Sequence, residues 1–176
     1  MKLGEIAEIR TGLVITRKKA IIEHEIQKTY KLITLKNIDD NGAINEEAFE
    51  TFESNDELDQ EYFTQEGDIL IRLSAPYTAA NIDIRTAGLL VPSYFSIIRL
   101  KTEKYIPEYI ACYLNSDKVK KELIKSQTGT AMSTTNKRII SSIDIKEIPI
   151  EEQKKIAEIQ ALCVKERDLL YRLIKE

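Results

Sequence analysis

One histidine, two cysteines and six scattered glycines are all that these 176 residues hold of the side chains from which many small active sites are built. His24 lies in a charged stretch, which suits a surface residue and leaves a Ser-His-Asp arrangement or a histidine metal site little to build on. No glycine-rich loop that could cradle a phosphate is present. The Asn- or Asp-Pro-Pro-aromatic loop that base-methylating enzymes use to hold a flipped base is missing as well. Cys112 and Cys163 are too few for a disulfide framework, and both sit within helix-like patterns. The longest apolar runs, such as residues 87–91, fall far short of a membrane span. The first residues, "MKLGEIAEIRTG", place acids where a signal peptide needs an apolar core. These absences lead us to expect a cytoplasmic, non-catalytic protein with no metal, no cofactor and no membrane partner.

Hydrophobic residues make up 43% of the chain and charged residues 31%, the balance of a folded, soluble domain with an appendage. The net charge of -3 argues at face value against a nucleic-acid partner. Its distribution says more than its sum. Residues 46–61, "EEAFETFESNDELDQE", hold eight acids and no base, and the remainder carries 26 bases against 21 acids. Local basic clusters stand at Arg17, Lys18 and Lys19, at Lys118, Lys120, Lys121 and Lys125, and at Lys137 and Arg138. On charge alone each fits a solvated face better than a DNA contact, so charge permits DNA binding without demonstrating it.

Residues 3–10 read as a short helix or turn leading into a strand near residues 13–16. "YKLITLKNI", residues 30–38, is rich in β-formers and ends in the turn signal Asp39-Asp40-Asn41-Gly42. The acidic segment reads as a loop with a helical turn. "ILIRL" after Gly67 and Asp68 reads as a buried strand, and residues 82–100 as a second strand-rich stretch with "YFSIIRL" its clearest run. Pro107 suits the first turn of a helix whose stripe is Tyr109, Ile110, Tyr113 and Leu114. The Asn115-Ser116-Asp117 segment ends that helix and caps the next, residues 118–126. A polar loop, "QTGTAMSTTNKR", precedes a strand over residues 143–150 and a final helix. Strands separated by turns, then helices, then a further strand point to an α+β fold.

Two domains follow: residues 1–150 as a globular unit and residues 151–176 as a helix. At 26 residues that helix would be about 39 Å long. Its apolar positions are Ile156, Ile159, Leu162, Cys163, Leu169, Leu170, Leu173 and Ile174. Ile156, Cys163 and Leu170 fall seven apart, as do Leu162 and Leu169, which makes a seam for coiled-coil pairing interrupted by Glu166. The competing reading folds the same stripe back onto its own domain.

Three segments carry side chains suited to reading nucleic acid. Residues 127–138 combine Thr130, Met132, Ser133, Thr134 and Asn136, which can meet base edges, with the charges of Lys137 and Arg138. "SAPYTAAN", residues 74–81, offers Ser74, Tyr77 and Thr78 after Arg72, and the basic run Arg17, Lys18 and Lys19 is the third. Any one alone is an ordinary loop; three on one scaffold describe a DNA reader. Asp144-Ile145-Lys146 offers the Asp-x-Lys of a metal-dependent nuclease, a tripeptide common by chance.

The segments "LGEIAEIRTG", "YKLITLKNIDDNGAI", "GDILIR", "YIPEYIACYLNS", "QTGTAMSTTNKR" and "IDIKEIPIEEQKKIAEI" follow one another along almost the whole chain. In that order they resemble the DNA-specificity subunits of type I restriction-modification systems. The resemblance implies a target-recognition domain that reads a DNA half-site, then a long conserved-region helix that helps to scaffold methyltransferase subunits. Catalysis and S-adenosylmethionine would belong to those partners. The family usually carries two recognition domains per chain and this sequence has one, so the resemblance implies either a half-subunit that forms a homodimer through the helix or a fragment of a longer chain. Only Ile150 separates Pro149 from Glu151, a shorter turn than the family's. The alternative function is an adaptor that recruits a partner through its C-terminal helix without touching DNA.

Overall fold

The computed structural model describes residues 1–127 and 134–175. The chain runs α1 (Leu3–Ile6), β1 (Ala7–Thr11), β2 (Lys28–Leu32), β3 (Glu50–Ser54), β4 (Asp68–Arg72), β5 (Ala79–Asn81), β6 (Phe95–Leu100), α2 (Pro107–Leu114), α3 (Asp117–Ser126), α4 (Lys137–Ser141) and α5 (Ile150–Lys175). Four strands form an antiparallel sheet in the order β1-β6-β4-β5, and β2 pairs with β3 as a separate ribbon. Strands interleaved with short 3-10 turns, then helices, make this the expected α+β fold with a long terminal helix.

The sheet is covered on both faces, which is why β4 reads "DILIR" without an outward polar alternation. Ile9, Ile69, Ile71 and Ile98 meet Ile110, Leu114, Val119, Leu123, Ile140, Ile143 and Ile145 on one side. Leu70, Phe95 and Ile97 meet Ile33, Ile38, Ile82, Leu89 and Val91 on the other. Leu13, Leu32, Phe52, Leu58, Phe63 and Leu90 form a third cluster with the ribbon. Across β4 and β6, the buried Asp68 carboxylate takes a two-pronged contact from Arg99, Nε to Oδ1 at 2.7 Å and Nη2 to Oδ2 at 2.8 Å. Bidentate geometry and a third bond from the Gln65 N–H satisfy a charge that could not otherwise stay in the core.

At the β5 edge, the Asn115 side chain donates from Nδ2 to the Ala79 carbonyl at 2.7 Å and accepts from the Ala79 N–H at 2.8 Å. Gly42 lies against the same carbonyl. Its φ of 84° is left-handed, and a Cβ there would stand 2.3 Å from the Ala79 oxygen.

Several local expectations change. Residues 13–16 form no strand: Leu13 makes a single bridge to Pro92, and the chain then coils into a 3-10 turn at Ile15–Arg17. The strand expected over residues 30–38 ends at Leu32 and gives way to a 3-10 turn at Leu35–Asn37. The acidic segment holds β3 as well as a helical turn, because Phe52 and Ser54 alternate inward. Residues 143–149 are extended but are not a strand. Ile143 and Ile145 alternate into the core, while the segment's backbone bridges to the chain's first residues in place of a neighbouring strand: Leu3 N–H donates to the Ile143 carbonyl and Ile145 N–H to that of Met1. Of the loop expected over residues 127–138, Lys137 and Arg138 instead open α4, whose first turn is capped by Asn136 through the Ile139 N–H at 3.1 Å.

α5 begins at Ile150, with Glu151 and Glu152 in the first turn, where the backbone dipole favours negative charge. It is seated against α2. Gln153, Ala157, Gln160, Ala161 and Val164 turn toward the domain, Gln153 fully buried and the other four lining a cleft of about 370 Å³. The Arg167 guanidinium bonds the Asn41 side chain farther along. Ile159, Leu162, Leu169, Leu170, Leu173 and Ile174 are exposed, at 52–79% of their surface, and Ile156 at 38%. The helix does fold back, but by a small and polar face and not by the apolar stripe expected to do so, which, Cys163 included, is exposed.

Candidate nucleic-acid interface

The ends of three neighbouring strands lie at one end of the sheet. Thr11 pairs with Ser96, and Arg72 pairs with Phe95, so the last residues of β1 and β4 flank the start of β6. The two polar loops meet here: Ser74 bridges Thr134, and the Thr135 N–H donates to the Leu73 carbonyl at 2.7 Å. Lys137, at the start of α4, lines a cleft of about 330 Å³ with Glu8, Arg10, Thr11, Glu61 and Tyr62. Residues far apart in sequence are thereby brought to one surface.

Electrostatics divide these residues. Arg10 is held between Glu8, at 2.7 Å, and Glu61, and the hydrogen bond from Arg10 draws the Glu8 carboxyl below its ordinary range. Lys18 pairs with Asp56 at 2.7 Å and lowers that carboxyl in the same way. Arg17, Lys19, Arg72, Lys137 and Arg138 enter no ion pair among the described residues. Arg17, Lys19, Thr134, Lys137 and Arg138 are exposed, while Arg72 and Ser74 are half-buried.

The Arg72 Nε and the hydroxyls of Thr78, Ser96 and Thr135 are buried with no hydrogen-bond partner among the described residues. Native proteins keep few such groups, and they concentrate where something else is meant to bind or move. These four belong to this end of the sheet or the loops that leave it; the buried Tyr105 hydroxyl, on the helical side of the core, is likewise without a partner among the described residues.

The basic run Arg17, Lys18 and Lys19 is not a free loop. Asn55 N–H donates to the Lys18 carbonyl, Ala20 N–H donates to that of Glu53, and Lys19 bridges Ser54, so the run is stitched to the acidic ribbon. Its positive field is reduced accordingly. Tyr77 and Thr78 need correction as surface readers: they are 2% and 0% exposed, because Tyr77 adopts a left-handed φ of 54° that turns its ring into the helical side of the core. They anchor the loop rather than face solvent. Asn136 is occupied as a helix cap. Thr130, Met132 and Ser133 lie outside the described residues. Sequence reasoning missed Arg10, Thr11, Tyr62, Ser96 and Thr135, which only the strand register and the cross-chain bridges bring to this place.

Elsewhere, Asp144 is paired with Lys2 at 2.7 Å in an exposed contact. Among the described residues no group of three or more His, Cys, Asp and Glu could hold a metal ion, and His24 is exposed. Burial pushes the half-buried Cys112 thiol up. Among the described residues no helix is long and apolar enough to cross a membrane.

A search of curated proteins finds no match. Among solved structures, the HsdS subunit from Thermoanaerobacter tengcongensis matches with a TM-score of 0.72 at 19% identity, over 96% of this chain and 43% of its own. A chain from work titled as the structural basis of complex assembly and conformational transition of the type I R-M system matches equally, at 0.72 and 19%, over 98% of this chain and 43% of its own. The type I restriction-modification S subunit from M. genitalium matches at 0.57 and 15%, over 99% and 41%. This chain therefore spans less than half the length of the structures it matches, and at these identities the likeness is one of fold. A family model described as the type I restriction modification DNA specificity domain covers residues 1–174, and the chain belongs to that family.

Proposed function

We propose that this chain is the DNA-reading half of a type I restriction-modification specificity subunit. Residues 1–150 read a half-site on double-stranded DNA, and residues 151–176 pair helices and scaffold methyltransferase subunits. The chain itself does no chemistry and works in the cytoplasm, beside the DNA. The observation that carries this reading, beyond family membership, is the sheet end where Arg72, Ser74, Thr134 and Lys137 converge over buried hydroxyls without partners. Unpaired cations there supply the phosphate contacts that position a duplex, and the polar loops supply the base-edge contacts that specify one.

The exposed apolar stripe on α5 supports pairing with a second copy. A two-fold protein would read inverted half-sites, since protein symmetry is mirrored in the operator. The same stripe is what favours the second reading, an adaptor that docks a partner protein without DNA. Binding of random and selected duplexes across a salt series separates the two. A DNA reader loses affinity steeply as salt rises and prefers one sequence. Absence of duplex binding at low salt refutes it.

A further inference from the structure

We infer that Gln153 fixes the angle at which α5 leaves the reading domain and, through it, the separation of the two DNA half-sites. The second part rests on the paired reading above; the first does not. Among the described residues of α5, Gln153 is the buried one, at 0% exposure, in a helix otherwise half or fully exposed. A fully buried glutamine is rare enough to need a reason. Here its amide is matched group for group. Oε1 accepts from the Ile106 N–H at 3.0 Å, and Nε2 donates to the Lys104 carbonyl at 2.7 Å and the Ile148 carbonyl at 2.9 Å. One side chain thus ties the first turn of α5 both to the segment that launches α2 and to the strap that delivers the helix.

Packing alone does not set this angle. Between Gln153 and the Arg167–Asn41 contact, 14 residues or about 21 Å along the axis, the helix faces the domain with Ala157, Gln160, Ala161 and Val164 across the cleft of about 370 Å³. A cleft leaves room to tilt, so the polar tethers decide the direction. The leverage is large. A tilt of about 10° moves the end of a helix about 39 Å long by roughly 7 Å, or about two base-pair steps. No other uncharged side chain offers the same two donors and one acceptor at that reach. Leucine fills the space but leaves three backbone groups without the partner they have here, and glutamate turns a carboxylate toward two carbonyls.

The test uses the full chain with Cys112 and Cys163 replaced by serine and spin labels on K101C and K175C, both exposed positions. With Gln153 in place, and the labelled protein diluted into an excess of unlabelled protein so that both labels of a pair sit on one copy, the label-to-label distance distribution is narrow and single. In Gln153→Leu and Gln153→Glu it broadens or shifts while the near-ultraviolet signature of the domain holds. An unchanged distribution in both overturns the inference. If Gln153→Leu does not fold, Gln153→Met replaces it. Selection from a randomised duplex pool supplies the functional arm. The native protein enriches paired half-sites at one gap length, and the variants enrich the same half-site spread over several neighbouring gaps. Variants that keep the single gap overturn the spacing role. A native protein that enriches lone half-sites refutes the paired reading instead, and the distance measurement still decides the tether.

Discussion

The two sides of α5 are built from different materials. The side toward the domain uses Gln153, two alanines, Gln160 and Val164, and it is held by hydrogen bonds at its ends. The side toward solvent uses isoleucine and leucine and is left exposed. In most amphipathic helices the apolar face turns inward because burial of each large aliphatic side chain stabilises by about 1.5–3 kcal/mol. α5 reverses that order. Small inner residues seat the helix against α2 without using up its large apolar side chains, so the two sides can be altered separately.

The largest expected effect falls on the outer side. Replacing Leu162, Leu169 and Leu173 with glutamate abolishes association, so sedimentation gives half the native mass, while the domain keeps its circular-dichroism signature. An unchanged mass in that variant would remove the distinction between the sides. Next comes the surface on which the helix end rests. Gly42→Ala forces a Cβ into the Ala79 carbonyl at a left-handed φ and costs about 1–3 kcal/mol in denaturant unfolding, with no change in mass.

Tyr109 of α2 supports the strap before α5 through a 3.0 Å bond from its hydroxyl to the Lys146 carbonyl. Burial pushes its phenol up to about 12 from an ordinary value of 10.0. Because the folded state holds this proton more tightly, its contribution is complete below pH 10 and is lost as pH rises toward about 12. Tyr109→Phe lowers stability by about 1 kcal/mol at neutral pH and flattens that alkaline loss in pH-dependent unfolding. The smallest effect is that of Arg167→Ala, an exposed contact whose loss changes stability by less than about 0.5 kcal/mol and leaves the mass untouched.

The helix, its length and its apolar seam were legible in sequence because a 3.6-residue period over 26 residues is a strong local signal. So were α2 and α3, marked by Pro107 and by the Ser116 cap. The segment at residues 143–149 was misread as a strand because Ile143 and Ile145 alternate as strand residues do; alternation reports burial and not whether a neighbouring strand is available. At the candidate interface, the loops were legible as polar and basic. What they face was not. The ion pair that ties Lys18 to Asp56, the capping role of Asn136 and the burial of Tyr77 and Thr78 all arise from contacts across the fold. Gln153 looked like one more polar residue in a charged helix start, and only its three backbone partners distinguish it.

The Asn115 amide on Ala79 acts as a one-residue substitute for a fifth strand. An open strand edge is a template on which any extended chain can add, and two copies meeting edge to edge would compete with pairing through helices. With the donor and acceptor of Ala79 already occupied, and Gly42 lying over the same carbonyl, that route is blocked at the short β5 edge. At β5 the sheet is thus closed by a side chain of its own fold.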